Sequence, residues 1–78
     1  MTIESQLITY FKDTLDADVT SETRLIEQGI IDSMGVMELI TFIAQVFGVE
    51  FDIDDMTAEK LGTVRAIARL ITFKKGDV

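Results

Sequence analysis

The chain has 78 residues, 14 acidic and 7 basic, for a net charge of −7, and it lacks His, Cys, Trp and Pro. Without His or Cys there is no Ser-His-Asp triad, Cys-His nucleophile, zinc finger, iron–sulfur ligand set or disulfide framework. The negative balance argues against a nucleic-acid partner, and no apolar run approaches the ~18–20 residues that would span a membrane.

The length fits one domain over 1–78, and the absence of Cys fits a reducing cytoplasm. Met1-Thr2-Ile3-Glu4-Ser5 lacks a basic segment, so a signal peptide is not expected. Ile3, Leu7, Ile8, Phe11 and Leu15 then recur at helical spacing and predict a first helix over about 3–15, with Thr2 as its N-cap. Residues 16–31 have no sustained period and predict a long loop, tacked to the core by Leu25, Ile26, Ile30 and Ile31.

A second helix is predicted over about 33–47, with Asp32 as N-cap and Gly48 as its stop. Val36, Leu39, Ile40, Ile43, Val46 and Phe47 share its core face; Met34, Glu38, Thr41 and Gln45 lie opposite, with Met37 at the edge. Val49 to Ile53 alternates like a strand but has nothing to pair with, so it reads as an extended linker. Thr57 can cap a short helix over about 57–60. Thr63 can cap a last one over about 64–73, with Val64, Ile67, Ala68 and Ile71 inward and Arg65, Arg69, Lys74 and Lys75 in water. The expected fold is all-α: a four-helix bundle with three main helices, one short helix and a long first loop.

Charge divides along the chain. Residues 1–59 hold 13 acids against 2 bases, net −11, whereas 60–78 hold 5 bases against 1 acid, net +4. Asp52, Asp54, Asp55 and Glu59 do not form a calcium loop, because position 57 is Thr where the loop needs Gly and position 63 is Thr where it needs Glu. They read as a solvated acidic linker.

Asp32-Ser33 is the candidate site. Ser33 falls in the first helical turn, beside unpaired backbone N–H groups and the positive end of the dipole, where an anion on its hydroxyl is stabilised. Gly35 leaves room for approach to the backbone. No base stands near Ser33, so it is a poor nucleophilic catalyst but a good attachment point for a phosphate-linked group. Met34 and Met37 are surplus to a core already filled by Val, Leu, Ile and Phe, and exposed Met suits an adaptable contact surface. The alternative is a small helical protein-interaction domain in which Asp32-Ser33 is only a cap.

Glu27-Gln28-Gly29-Ile30-Ile31-Asp32-Ser33-Met34-Gly35-Val36-Met37-Glu38-Leu39 resembles the modification motif of acyl and peptidyl carrier proteins. Phe47 to Phe51 and Leu61 to Ile67 are similar to the second half of the same domain, so the resemblance covers nearly the whole chain. It implies a non-catalytic, monomeric, cytoplasmic carrier. A phosphopantetheinyl transferase would move 4′-phosphopantetheine from coenzyme A to Ser33, and the arm's thiol would hold acyl or aminoacyl groups as thioesters. Asp32 would cap the helix and help the transferase position its metal; Met34, Met37, Glu38 and Thr41 would belong to the docking face. A loading ligase and a downstream synthase or transferase complete the implied partners. Met34-Gly35 and the single acid Glu38 differ from fatty-acid carriers, and the Trp-containing region of D-alanyl carriers is missing. The likeness points to a stand-alone carrier in an aminoacyl or polyketide-like pathway.

Overall fold

A computed structural model describes residues 2–76. Its helices are α1 (Ile3–Leu15), α2 (Ser33–Phe47), α3 (Ala58–Leu61) and α4 (Val64–Lys75), with one 3-10 turn at Ile53–Asp55. Among the described residues there is no strand. Each α-helix starts on a short polar side chain that accepts a backbone N–H three residues on: Thr2 from Ser5, Asp32 from Gly35, Thr57 from Lys60 and Thr63 from Ala66. The short helix therefore begins one residue later than expected, because Thr57 is its cap, and it ends at Leu61. The last helix runs past Phe73 to Lys75, and Gly76 (φ 77°) closes it in the left-handed conformation.

The core is formed by Leu7 and Phe11 of α1, Leu39 and Ile43 of α2, Leu61 of α3, and Val64, Ile67 and Ile71 of α4, all essentially without exposure. Leu25 joins them from the long loop, so that loop is packed rather than free. It is stitched to the α3–α4 corner by Leu25 N–H donating to Gly62 O (2.7 Å) and Arg65 N–H donating to Ser21 O (2.9 Å). Ser21 Oγ also donates to the Glu4 carboxylate of α1. Gly62 is required at the corner, because an added Cβ would collide with the Ala58 carbonyl oxygen. Closer to α2, the Ile30 and Ile31 N–H groups both donate to Leu25 O (2.9 and 3.2 Å), so the backbone just ahead of Asp32 is held to the same packed loop.

Several core expectations are corrected. Val46 is half exposed, and Val36, Ile40 and Phe47 are partly buried, because only the middle of α2 lies fully under the other helices. Leu15 is exposed at the end of α1 for the same reason. Tyr10 and Phe42, at the margins of their stripes, stack with ring centroids 4.2 Å apart and close the α1–α2 contact.

The segment after α2 differs most from a solvated linker. Asp55 is buried, its Oδ2 lying 2.7 Å from Lys74 Nζ of α4 and its Oδ1 3.5 Å from Lys60 Nζ. Asp55 also accepts the Asp52 N–H (2.9 Å), closing a capping box on the 3-10 turn. Lys74 is correspondingly mostly covered rather than wet, and its ammonium lies 5.7 Å from the Phe51 ring centroid. Lys74 holds the Asp55 carboxyl below the ordinary range, and Asp55 in turn raises Lys74.

Candidate functional site

Asp32 is extended (φ −109°), and its Oδ1 accepts the Gly35 N–H at 2.8 Å. This occupies the third N–H of α2 and leaves those of Ser33 and Met34 without acceptors among the described residues. No acid occupies the first turn of α2. Ser33 thus sits on the positive end of a 15-residue helix, where the Asp32 carboxylate takes the Gly35 N–H and the N–H groups of Ser33 and Met34 remain open to an incoming anion.

The chain has three serines, and the structure separates them. Ser5 Oγ donates to Thr2 O (3.0 Å) and Ser21 Oγ to Glu4, and both side chains are partly buried. Ser33 is exposed, and its Oγ makes no hydrogen bond to any described residue. Nor is any His or Cys present to activate it from within the chain.

Gly35, two residues on, lies tight against Ile31 and the cap. A Cβ there would stand 3.2 Å from Ile31 Cβ and 3.4 Å from Asp32 Oδ1, so a side chain would press on the cap. Its absence leaves the cap undisturbed.

The remaining candidates share one exposed stripe. Met34 is 74% and Met37 57% exposed, while Glu38 and Thr41 follow at helical spacing and are also exposed. Thr41 Oγ1 donates to Met37 O (3.0 Å), so its hydroxyl is partly engaged by its own helix. Burial raises the Tyr10 phenol on α1 above its ordinary pKa, and the Glu38 carboxylate adds to this. Ile53 (85% exposed) and Met56 on the following segment are further exposed apolar groups that periodicity missed, since a short alternating stretch gives no face to assign. Among the described residues no three His, Cys, Asp or Glu side chains gather as metal ligands. No described helix is long and apolar enough to cross a membrane.

The sequence model of the family described as the phosphopantetheine attachment site matches residues 5–71, which take in most of α1, the loop, the Asp32-Ser33 corner, α2, α3 and most of α4.

Proposed function

The chain belongs to the phosphopantetheine-attachment family, whose members carry a covalently attached 4′-phosphopantetheine, and from that premise we propose that Ser33 is the residue that bears it. The observation that carries this reading is the free, exposed Ser33 Oγ at the start of α2, where Ser5 and Ser21 are hydrogen-bonded and partly covered.

The surroundings suit the group's chemistry. A phosphodiester on Oγ keeps one negative charge, and the Ser33 and Met34 N–H groups with the helix dipole favour it there. Gly35 adds no side chain against the incoming arm, and Asp32 keeps the turn in register through its bond to Gly35 N–H. Once attached, the arm supplies a terminal thiol that can hold an acyl or aminoacyl group as a thioester. Attachment would form the P–O bond to Ser33 Oγ as the pyrophosphate bond of coenzyme A breaks and adenosine 3′,5′-bisphosphate leaves. The chain has no His, and Asp32 is engaged by the Gly35 N–H, so the proton on Oγ leaves to a group of the transferase.

The protein on this account is a carrier and a substrate of other enzymes. Its partners are a phosphopantetheinyl transferase, a loading ligase and a downstream synthase or transferase, in a cytoplasm that supplies coenzyme A. Met34, Met37, Glu38 and Thr41 form the face they meet. Two exposed Met and one carboxylate favour adaptable apolar contact over a dense acidic pattern. This supports an aminoacyl or polyketide-like pathway, with the carrier acting as a monomer.

The test is intact mass before and after incubation with coenzyme A, magnesium and a broad-specificity transferase. Wild type gains one phosphopantetheine group and Ser33→Ala gains none. A gain on Ser33→Ala, or no gain on wild type by a transferase active on a control carrier, refutes the assignment.

A further inference from the structure

All the sulfur of this chain is thioether. It has four Met and no Cys, Trp or His, so a two-electron oxidant meets Met as its main target. Three of the four lie among the described residues. Met34 and Met37 are 74% and 57% exposed, whereas Met56 is 37% exposed. None of the three belongs to the hydrophobic core or packs against it, so no thioether among them is needed to hold the bundle.

Their placement is the second observation. Met34 directly follows Ser33 at the start of α2, and Met37 lies three residues further on the same exposed face. A reagent or enzyme that reaches the Ser33 hydroxyl therefore comes down beside Met34. On the chain without its arm, no thiol competes with these two sulfurs for an oxidant.

We propose that Met34 and Met37 form a reversible oxidation site, at which a peroxide-class oxidant makes sulfoxides that hinder enzymes approaching Ser33. The effect on loading rests on the reading of Ser33 as the modified serine. At each site a thioether lone pair attacks one peroxide oxygen. The S–O bond forms as the O–O bond breaks, a proton moves to the departing hydroxide, and water leaves. Sulfur is oxidised to the sulfoxide and the peroxide is reduced to water. A polar, chiral group then stands where a flexible apolar one stood. A partner surface that covers a thioether with apolar atoms offers the sulfoxide oxygen no donor, so covering it strands a polar group. The change falls on an exposed helix face and leaves the core intact, so the fold survives while access to Ser33 suffers. Reduction returns the thioethers and reverses the effect.

The test uses the full chain without its arm, treated with hydrogen peroxide, cleared with catalase, then given coenzyme A, magnesium and the transferase. Peptide mapping by mass spectrometry finds one added oxygen, about 16 Da, on Met34 and on Met37 ahead of Met56. Loading then falls by roughly fivefold or more in kcat/KM, chiefly through KM, with circular dichroism unchanged. Methionine sulfoxide reductases for both epimers restore it. Met56→Leu responds to peroxide as wild type does. The double variant Met34→Leu, Met37→Leu loads at the same rate before and after peroxide, whatever that rate is. Oxygen on Met56 ahead of the other two overturns the inference, as does undiminished loading of a chain carrying both sulfoxides. Inhibition that persists in the double variant also overturns it. So does a loss of helicity on oxidation, because the fold and not the face would then be responsible. In each of these cases the untreated chain still loads, and the reading of Ser33 stands. An untreated chain left bare by a transferase active on a control carrier refutes that reading, and this inference with it.

Discussion

Asp32 has two roles in this account, and they separate by substitution. Its Oδ1 accepts the Gly35 N–H at 2.8 Å, and its charge faces the positive end of α2. Asp32→Ala removes both and should cost about 1 kcal/mol, within a range of about 0.5–2 kcal/mol for lost N-caps. For a domain of this size that lowers Tm by roughly 4–8 °C per kcal/mol. Asp32→Asn keeps an amide oxygen in place of Oδ1 and loses only the charge, worth about 0.3–1 kcal/mol on an exposed helix end. Asn should therefore recover most of the stability lost in Ala. Urea denaturation and thermal melts by circular dichroism give the two differences, and transferase loading is measured well below either Tm. If Asp32 also helps the transferase position its metal, Asn slows loading while remaining folded. If Ala melts within about 1 °C of wild type, the hydrogen bond does not hold the first turn. If Asn is as unstable as Ala, charge and not capping explains the residue.

Other outcomes follow from the packing. Gly62→Ala should lose about 1–3 kcal/mol in urea denaturation, because its Cβ meets the Ala58 carbonyl oxygen at a corner that also binds Leu25 N–H; an unchanged midpoint would deny the clash. The Asp55 carboxyl titrates lower in the fold than in the unfolded chain, chiefly because Lys74 binds its ionised form. Its stabilisation is thus present above the ordinary Asp pKa of about 4 and is lost as pH falls through the lower folded value, so Asp55→Asn should be less stable at pH 7 and show a shallower acid transition. Parallel pH curves for the two proteins would contradict this. The Tyr10 phenol, raised by burial and then by Glu38, should titrate above 10 by ultraviolet absorbance, and Glu38→Gln should bring it part of the way down.

The helices were legible because their punctuation is local. Thr2, Asp32, Thr57 and Thr63 are caps whose acceptor oxygens reach a backbone N–H three residues on, and that geometry needs no knowledge of the rest of the chain. Ser33 was legible for the same reason, since a hydroxyl one residue after a cap has its environment set by the helix it opens. The role of Asp55 was not legible. Its burial depends on Lys74, nineteen positions later on α4, and a run of acids otherwise reads as hydrated. The Tyr10–Phe42 stack is likewise a product of how α1 meets α2, which no single-helix pattern contains. Val46 and Leu15 show the converse limit: periodicity says which side of a helix is apolar, but not how far along its length the core extends.

The central claim is that the arm belongs on one serine of three. It is tested most directly by digesting the transferase-treated chain and locating the phosphopantetheine group by tandem mass spectrometry. The account predicts that the group lies wholly on the peptide containing Ser33, with Ser5 and Ser21 bare. Modification found on Ser5 or Ser21, or spread over all three, would contradict it.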